Sequence, residues 1–154
     1  MYKKILVPLD GSELAECVFP HVEAFIKGCN VRKIVFVSVV EPTLPSFHGE
    51  FPVSVEDVEE RDAAREASAR DYLKEVVGRL HYEGAEMHSE VVVGRVAESL
   101  VDFAQDNNVD LILIATHGRS GVTRWVRGSV ADKILRSANV PVMMVRAPGT
   151  NGGI

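Results

Sequence analysis

The sequence predicts an α/β fold: an open, doubly wound, five-stranded parallel sheet with helices on both faces. Short apolar runs alternate with longer amphipathic segments in the order βαβαβαβαβ, the pattern of sheets built from βαβ units. The runs are apolar at nearly every position, which is typical of strands covered on both faces. Each helix returns the chain to the edge where the previous strand began, so successive strands are parallel, and these crossovers are right-handed. The chain contains no internal repeat, so these elements form one such sheet.

The composition is that of one globular domain, predicted at residues 1–146 and followed by a flexible tail at 147–154. The chain has 154 residues, of which 46% are hydrophobic, enough to bury a core. No apolar run is long enough to span a membrane. The net charge of -5 argues against a nucleic-acid partner, which needs a basic face. With only Cys17 and Cys29, and no long apolar segment after the N-terminal lysines, we expect a reduced, cytoplasmic protein.

The first strand is predicted at Tyr2 to Leu9, with Pro8 at its end because proline cannot donate to a ladder. Asp10 follows at the carboxyl end of that strand, where ligands bind in open α/β sheets. An aspartate here is also a common turn former. From the residues alone, the role as a turn former is favoured.

Ser12 is predicted to cap the first helix. Pro20 should kink or shorten that helix, and Gly28 should end it. Cys17 and His21 have the i,i+4 spacing of metal ligands, but no second pair accompanies them, so we expect packing roles. The apolar side chains at helical spacing are Leu14, Val18, Val22, Phe25 and Ile26.

The second strand is predicted at Lys33 to Val40, parallel to the first. Glu41 to Val55 holds three prolines and is predicted as a loop over the same edge of the sheet. A long helix should run from Glu56 to Leu80. Its apolar stripe strengthens only late, so its first half should be solvated or form a contact surface. The predicted i,i+4 ion pairs are Asp57 with Arg61 and Glu66 with Arg70.

The third strand is predicted at Met87 to Val93, and Gly94 turns the chain into a helix that ends at Asn107 and Asn108. Gly94 lies at a carboxyl end, so its small size admits either a ligand or an ordinary tight turn. The last strand is predicted at Val140 to Arg146. Its proline, Pro141, favours a sheet edge.

A glycine-rich loop follows the fourth predicted strand, Leu111 to Ala115. The three glycines of this loop, Gly118, Gly121 and Gly128, allow positive φ and close approach to a ligand. Ser129 then opens a helix, whose unpaired N–H groups and dipole favour an anion.

Two further features of this connection bear on its role. Ser129 and Asp132 have the spacing of a capping box. Arg119, Arg124 and Arg127 could offset phosphate charge. The same strand, loop and capped helix also occur in α/β domains that bind nothing there.

The spacing of this loop resembles the nucleotide-binding signature of the universal stress protein family: Gly, two residues, Gly, nine residues, then Gly-Ser or Gly-Thr. Gly118, Gly128 and Ser129 match the signature, and Ala115 stands at its first glycine position. The likeness runs from the PLDGS segment at 8–12 to the VPVMMVR segment at 140–146. The resemblance implies a Rossmann-like fold of the adenine nucleotide alpha-hydrolase-like type.

The resemblance further implies a site for ATP or a related adenine nucleotide, with Mg²⁺ carried by the nucleotide. Asp10 would hold the ribose, Val39 would border the base, and the glycine loop would cradle the phosphates. No catalytic residue and no protein-bound metal are expected. The residues expected to bind the nucleotide are Pro8, Leu9, Asp10, Val39, Ala115, Thr116, Gly118, Arg119, Gly128, Ser129 and Val130.

By the same resemblance, the chain is expected to be a cytoplasmic stress-response regulator that dimerises through its last strand and has an unknown protein partner. Three alternatives stay open. One is a slow ATP hydrolase, for which His117 is the sole titratable candidate in the loop. Another is a family member that binds no nucleotide, which Ala115 keeps open. The third is a phosphoacceptor receiver built on Asp10 and Thr116, although the paired acidic residues of receivers are lacking.

Overall fold

The computed structural model of the protein describes residues 1–44, 54–116 and 128–148. Its elements alternate in the predicted order, with one short 3-10 helix before the first α-helix. They are β1 (Lys4–Pro8), the 3-10 helix (Ala15–Val18), α1 (Phe19–Cys29), β2 (Lys33–Val40), α2 (Val55–Arg79), β3 (Glu86–Val93), α3 (Val96–Asp106), β4 (Leu111–Thr116), α4 (Gly128–Ser137) and β5 (Val142–Arg146).

The five strands form one sheet in the order β3-β2-β1-β4-β5, and every described pairing is parallel. The chain moves outward from β1 to β3 and then returns to the other side of β1 with β4. The predicted doubly wound sheet is therefore confirmed, and its direction of winding reverses between β1 and β4. Within the described ranges, no helix is both long and apolar enough to cross a membrane.

Helices cover both faces of this sheet and enclose two core clusters. Successive residues of a strand point to opposite faces, so Ile5 joins one cluster and Leu6 the other. The first cluster lies beneath α1 and α2 and contains Phe36 and Leu73. The second lies beneath α3 and α4 and contains Ile134. This arrangement explains why β1, β2 and β4 are apolar at nearly every position, whereas the edge strand β3 carries several polar residues.

The first helical segment differs from the single helix that the sequence predicts. The Ser12 hydroxyl accepts a hydrogen bond from Ala15 N at 3.2 Å, but the turn it caps is the short 3-10 helix. Pro20 lies in the first turn of α1, where its missing N–H removes no helical hydrogen bond. The proline therefore starts the α-helix instead of kinking it.

The end of α1 also corrects the prediction. Gly28 lies inside the helix. The residue that caps the C-terminal end of the helix is instead Asn30, whose φ is 54°. Asparagine is the residue besides glycine that most readily adopts this left-handed conformation at a helix end.

The remaining boundaries agree with the predictions to within one or two residues. Helix α2 is capped by Ser54, whose Oγ accepts a hydrogen bond from Asp57 N at 3.1 Å. The ion pair of Glu66 with Arg70 is present at 3.1 Å. The other predicted pair, Asp57 with Arg61, is not formed in the described part of the chain.

The last strand, β5, begins after Pro141 and forms an edge of the sheet, as predicted. Pro141 contributes its carbonyl oxygen, which accepts a hydrogen bond from Ile112 N at 3.0 Å. Since a proline has no N–H to donate, pairing begins through its acceptor alone. The tail at 149–154 lies outside the described residues.

Gly94 makes a tight turn between β3 and α3. Its φ is 153°, and its N–H donates to Val40 O at 3.0 Å. A Cβ at this position would lie 2.5 Å from Ser99 Oγ. Backbone conformation and close packing thus explain the glycine without a ligand.

Replacing Gly94 by alanine should lower the free energy of unfolding by about 1–3 kcal/mol, because alanine disfavours this φ. Urea unfolding monitored by circular dichroism measures the change. The matched control is Gly78→Ala in α2, where a Cβ meets nothing within 4 Å. The control should raise stability by about 0.5–1 kcal/mol. Unchanged stability of Gly94→Ala would contradict the strained-turn interpretation.

Candidate functional site

A cavity of about 540 Å³ opens at the carboxyl edge of the sheet, beside the reversal between β1 and β4. Its walls come from the ends of β1 and β2, the middle of α2, and the first turns of α3 and α4. In open α/β sheets this crevice is where ligands bind. Its volume falls within the range of about 300–1,000 Å³ that is usual for small-molecule sites.

Three of the residues predicted to bind the nucleotide lie together on the cavity wall. Asp10 follows β1, Val39 lies near the end of β2, and Val130 lies in the first turn of α4. These positions are far apart in sequence. They meet because parallel strands deliver their carboxyl ends, and the helices that follow, to the same edge.

Four other predicted residues lie beside the cavity and do not line it. Leu9 is fully buried and belongs to the core cluster beneath α1 and α2, as does Ala115. Pro8 is buried in β1 opposite Val37. The carbonyl oxygen of Thr116 accepts a hydrogen bond from Ala147 N at 2.8 Å. Their assignment as nucleotide contacts stays a prediction.

The rest of the predicted set falls in or next to the glycine loop. Gly118 and Arg119 lie outside the described residues, as does His117, the candidate of the hydrolase alternative. Gly128 and Ser129 form the first residues of α4, but their side chains also lie outside what the structure describes. The predicted capping contact of Ser129 therefore stays a prediction. The carboxylate of Asp132 pairs with Arg136 at 3.0 Å.

Asp10 both forms a turn and faces the cavity. Its Oδ1 accepts hydrogen bonds from Ser12 N at 2.9 Å and from Ser12 Oγ at 2.6 Å. These bonds fix the orientation of the carboxylate. Its Oδ2 forms no hydrogen bond with another described residue, so this oxygen is available to a donor in the cavity.

The middle of α2 supplies a wall that the sequence did not predict as part of the site. Its lining residues recur at helical spacing and are mostly small: Ala64, Arg65, Ser68, Ala69 and Tyr72. Because this segment faces a cavity instead of the core, it lacks large aliphatic side chains. A stripe of small residues at i,i+4 spacing was the available signal, and it is weaker than an apolar stripe.

Helix α2 is fastened to the segment after β2 by four residues, here called the clasp: Glu41, Thr43, Asp62 and Arg65. Thr43 donates to Asp62 from its N–H at 2.9 Å and from its hydroxyl at 2.7 Å. Arg65 Nη1 donates to the carbonyl oxygen of Glu41 at 2.8 Å. The two hydrogen bonds from Thr43, with the charge of Arg65, hold the pKa of the Asp62 carboxyl below its ordinary value. The clasp therefore contains a carboxylate at neutral pH.

A second set of contacts fixes Tyr72. Its hydroxyl donates to Glu16 Oε1 at 3.0 Å, and Glu16 Oε2 lies 2.6 Å from Arg79 Nη2. Burial and the neighbouring Glu16 raise the pKa of Tyr72, so the phenol remains a donor. The guanidinium of Arg79 also lies 5.9 Å from the centre of the Phe19 ring. These contacts join α2 to the 3-10 helix and α1 below the cavity.

Within the described ranges, no cluster of three or more histidine, cysteine or acidic side chains has the arrangement of a metal site. Cys17 and Cys29 are free thiols. Burial raises the pKa of the Cys17 thiol, which disfavours the reactive thiolate.

The chain is similar to known proteins both in sequence and in structure. The model of the universal stress protein family matches residues 1–146. Universal stress protein MJ0577 of Methanocaldococcus jannaschii is 30% identical over 156 residues, which cover 95% of this chain and 96% of the relative. The solved structure of MJ0577 superposes with a TM-score of 0.77 at 29% identity and covers 97% of this chain and 99% of that one.

Two further solved structures are nucleotide complexes. The universal stress protein of Archaeoglobus fulgidus in complex with dAMP is 26% identical, with a TM-score of 0.56 and coverage of 93% of this chain and 97% of that one. A family protein from Arabidopsis thaliana with AMP bound has a TM-score of 0.66 at 16% identity and covers 98% of this chain and 95% of that one. At that identity the Arabidopsis structure shows a shared fold.

The clasp predicts a local effect of Asp62→Ala. Thr43 N–H loses its acceptor, so its amide should exchange hydrogen faster, as measured by NMR. Glu66→Ala is the matched control, because Glu66 lies on the same helix and pairs only with the exposed Arg70 among the described residues.

The effect of Asp62→Ala on hydrogen exchange at Thr43 should also depend on pH. The pKa of Asp62 is lowered in the folded protein, so the clasp stabilises this segment above the carboxyl's ordinary pKa and is lost as pH falls through the lowered value. The difference in Thr43 protection between wild type and Asp62→Ala should therefore persist at the carboxyl's ordinary pKa and disappear only below it. Equal protection at neutral pH would show that the clasp does not hold the segment.

Proposed function

Because the chain belongs to the universal stress protein family, we propose that it binds an adenine nucleotide, with ATP as the leading candidate, and acts as a stress-response regulator. The observation that carries this proposal is the convergence of Asp10, Val39 and Val130 on one cavity at the reversal of the sheet. The dAMP complex of the Archaeoglobus fulgidus relative supports an adenine nucleotide as the ligand class.

The ribose would be held by Asp10. Its Oδ1 is occupied by Ser12, which orients the carboxylate, and its Oδ2 can accept hydrogen bonds from the sugar hydroxyls. Hydrogen bonds to a carboxylate are stronger than those between neutral groups. A carboxylate oriented in advance loses little conformational freedom on binding.

The base would lie against the apolar side of the cavity. Val39 and Val96 line it there, and each is more than nine-tenths buried in the core cluster beneath α3 and α4. Their side chains provide an apolar surface for a planar ring. The backbone of Val39, at the end of β2, would approach the edge of that ring.

The phosphates would extend toward the start of α4, which begins at Gly128. The first N–H groups of a helix lack intrahelical partners, and the positive end of the dipole favours an anion there. Val130, in this first turn, lines the cavity. Mg²⁺ would enter with the nucleotide, bound to its phosphates.

Two observations bear on the alternatives of a family member that binds no nucleotide and of an ATP hydrolase. Ala115 is 5% exposed and packs within the core beneath α1 and α2, which supports a site that tolerates its methyl group. The described titratable side chains on the cavity wall are Asp10, Glu41, Arg65 and Tyr72, and the Tyr72 hydroxyl is already bound to Glu16. We therefore propose regulated binding in the cytoplasm rather than rapid ATP turnover.

We also propose that two copies of the chain pair through β5. This strand is a sheet edge, and Met144 on it is 37% exposed. An apolar edge strand offers unpaired backbone groups that a second copy can satisfy. A protein partner remains part of the proposal, since a regulator must act on another molecule.

The assignment of Asp10 is tested with two nucleotides. Wild-type protein should bind 2′,3′-dideoxy-ATP about tenfold more weakly than ATP, because the Oδ2 contacts are lost. Asp10→Ala should bind both nucleotides with the same, reduced affinity, as measured by calorimetry. Asp102→Ala is the control, since Asp102 is an exposed carboxylate on α3 that does not line the cavity. If Asp10→Ala still binds ATP more tightly than 2′,3′-dideoxy-ATP, this residue is excluded from the sugar site.

The dimer is tested by sedimentation. Wild-type protein should sediment as a dimer, and Met144→Lys should weaken association at least about tenfold by burying a charge in the interface. Val93→Lys is the matched control, since Val93 is 50% exposed on β3 at the opposite edge. A monomeric wild type, or dissociation only in Val93→Lys, would contradict pairing through β5.

A further inference from the structure

Ser38 is an unusual residue within the described part of the chain, because it is polar and buried. Only 6% of its surface is exposed, and it lines the cavity near the end of β2. Its hydroxyl forms no hydrogen bond with another described residue. Burying a hydroxyl without a partner costs roughly 1–3 kcal/mol, so a buried serine usually has one.

The register of β2 determines which side of the cavity this hydroxyl reaches. Ile34 and Phe36 lie on the face of β2 that packs beneath α1 and α2, and Ser38 is the next residue on that face. Val39 lies on the other face, toward α3. Ser38 and Val39 thus line opposite sides of the same cavity.

The other polar groups on the α2 side already have partners. The Tyr72 hydroxyl donates to Glu16 at 3.0 Å, and Arg65 Nη1 donates to the Glu41 carbonyl at 2.8 Å. Ser68 is exposed, so water can satisfy its hydroxyl. The small side chains of Ala64 and Ala69 leave space in front of Ser38. The Ser38 hydroxyl is thus a buried polar atom on the α2 side that a ligand can satisfy.

We propose that Ser38 Oγ hydrogen-bonds the polar edge of the bound purine and thereby sets the specificity of the site for the base. This inference rests on the proposed function, since it takes the base to lie beside Val39. A serine hydroxyl both donates and accepts, so it can pair with the exocyclic amino group or with a ring nitrogen. Binding would then satisfy a group that is unpaired in the free protein.

This role predicts opposite effects of Ser38→Ala on stability and on affinity. The free variant should unfold at a higher urea concentration than wild type, because an unsatisfied hydroxyl has been removed. Its affinity for AMP should fall about tenfold, because the purine edge loses its partner. A serine with a purely structural role would lose stability and leave affinity unchanged.

The experiment measures urea unfolding without ligand, and calorimetric binding of AMP, purine riboside 5′-monophosphate and 7-deaza-AMP. Purine riboside 5′-monophosphate lacks the exocyclic amino group, and 7-deaza-AMP lacks the ring nitrogen N7. For wild type, the analogue that lacks the atom contacted by Ser38 should bind about tenfold more weakly than AMP. Ser38→Ala should bind AMP and that analogue equally. Ser89→Ala on β3 is the control, since Ser89 lies on the neighbouring strand and does not line this cavity.

Two results would overturn the inference, and they are distinguishable. Wild-type protein that binds none of these nucleotides would overturn the proposed function and this subsite with it. Wild-type protein that binds AMP, together with unchanged AMP affinity or lowered free-protein stability in Ser38→Ala, would overturn the Ser38 contact alone.

Discussion

The whole structure depends on β1 being buried at the centre of a parallel sheet whose winding reverses at its side. β1 pairs with β2 over five residues but with β4 over only two. At the amino edge, Asp110 Oδ2 joins the two strands by accepting from Lys3 N and Lys4 N, each at 2.8 Å. At the carboxyl edge no such bond joins them among the described residues. The cavity lies at that edge, lined by Asp10 after β1 and by Val130 in the helix that follows β4.

Two tethers hold α2 in place as one wall of this open cavity. The clasp fastens the first half of the helix to the segment after β2, and Tyr72 with Glu16 fastens the middle of it to the 3-10 helix. Small side chains in between keep space free. The same helix that covers the core with Leu73 and Val76 thus forms a wall of the cavity one to two turns earlier.

Much of this fold can be predicted from the sequence, because β1, β2 and β4 are covered on both faces and are correspondingly apolar. Asp10 could be placed at the carboxyl edge because it follows the first predicted strand, and Val39 was placed at the site by the family resemblance. The predicted start of the first α-helix after Ser12 and its predicted end at Gly28 were wrong, since Pro20 can begin a helix as well as kink it and asparagine competes with glycine at helix ends. Ser38 and the small residues of α2 were missed because neither carries a motif, and their meaning depends on contacts across the fold.

The central claim is that the cavity binds an adenine nucleotide, and calorimetric titration of nucleotide-free protein with AMP and with ATP and Mg²⁺ tests it most directly. We predict saturable binding of one nucleotide per chain, lost on Gly128→Val, whose branched side chain would occupy the phosphate space at the start of α4. No saturable heat with either nucleotide would contradict the claim, as would normal affinity in a folded Gly128→Val protein.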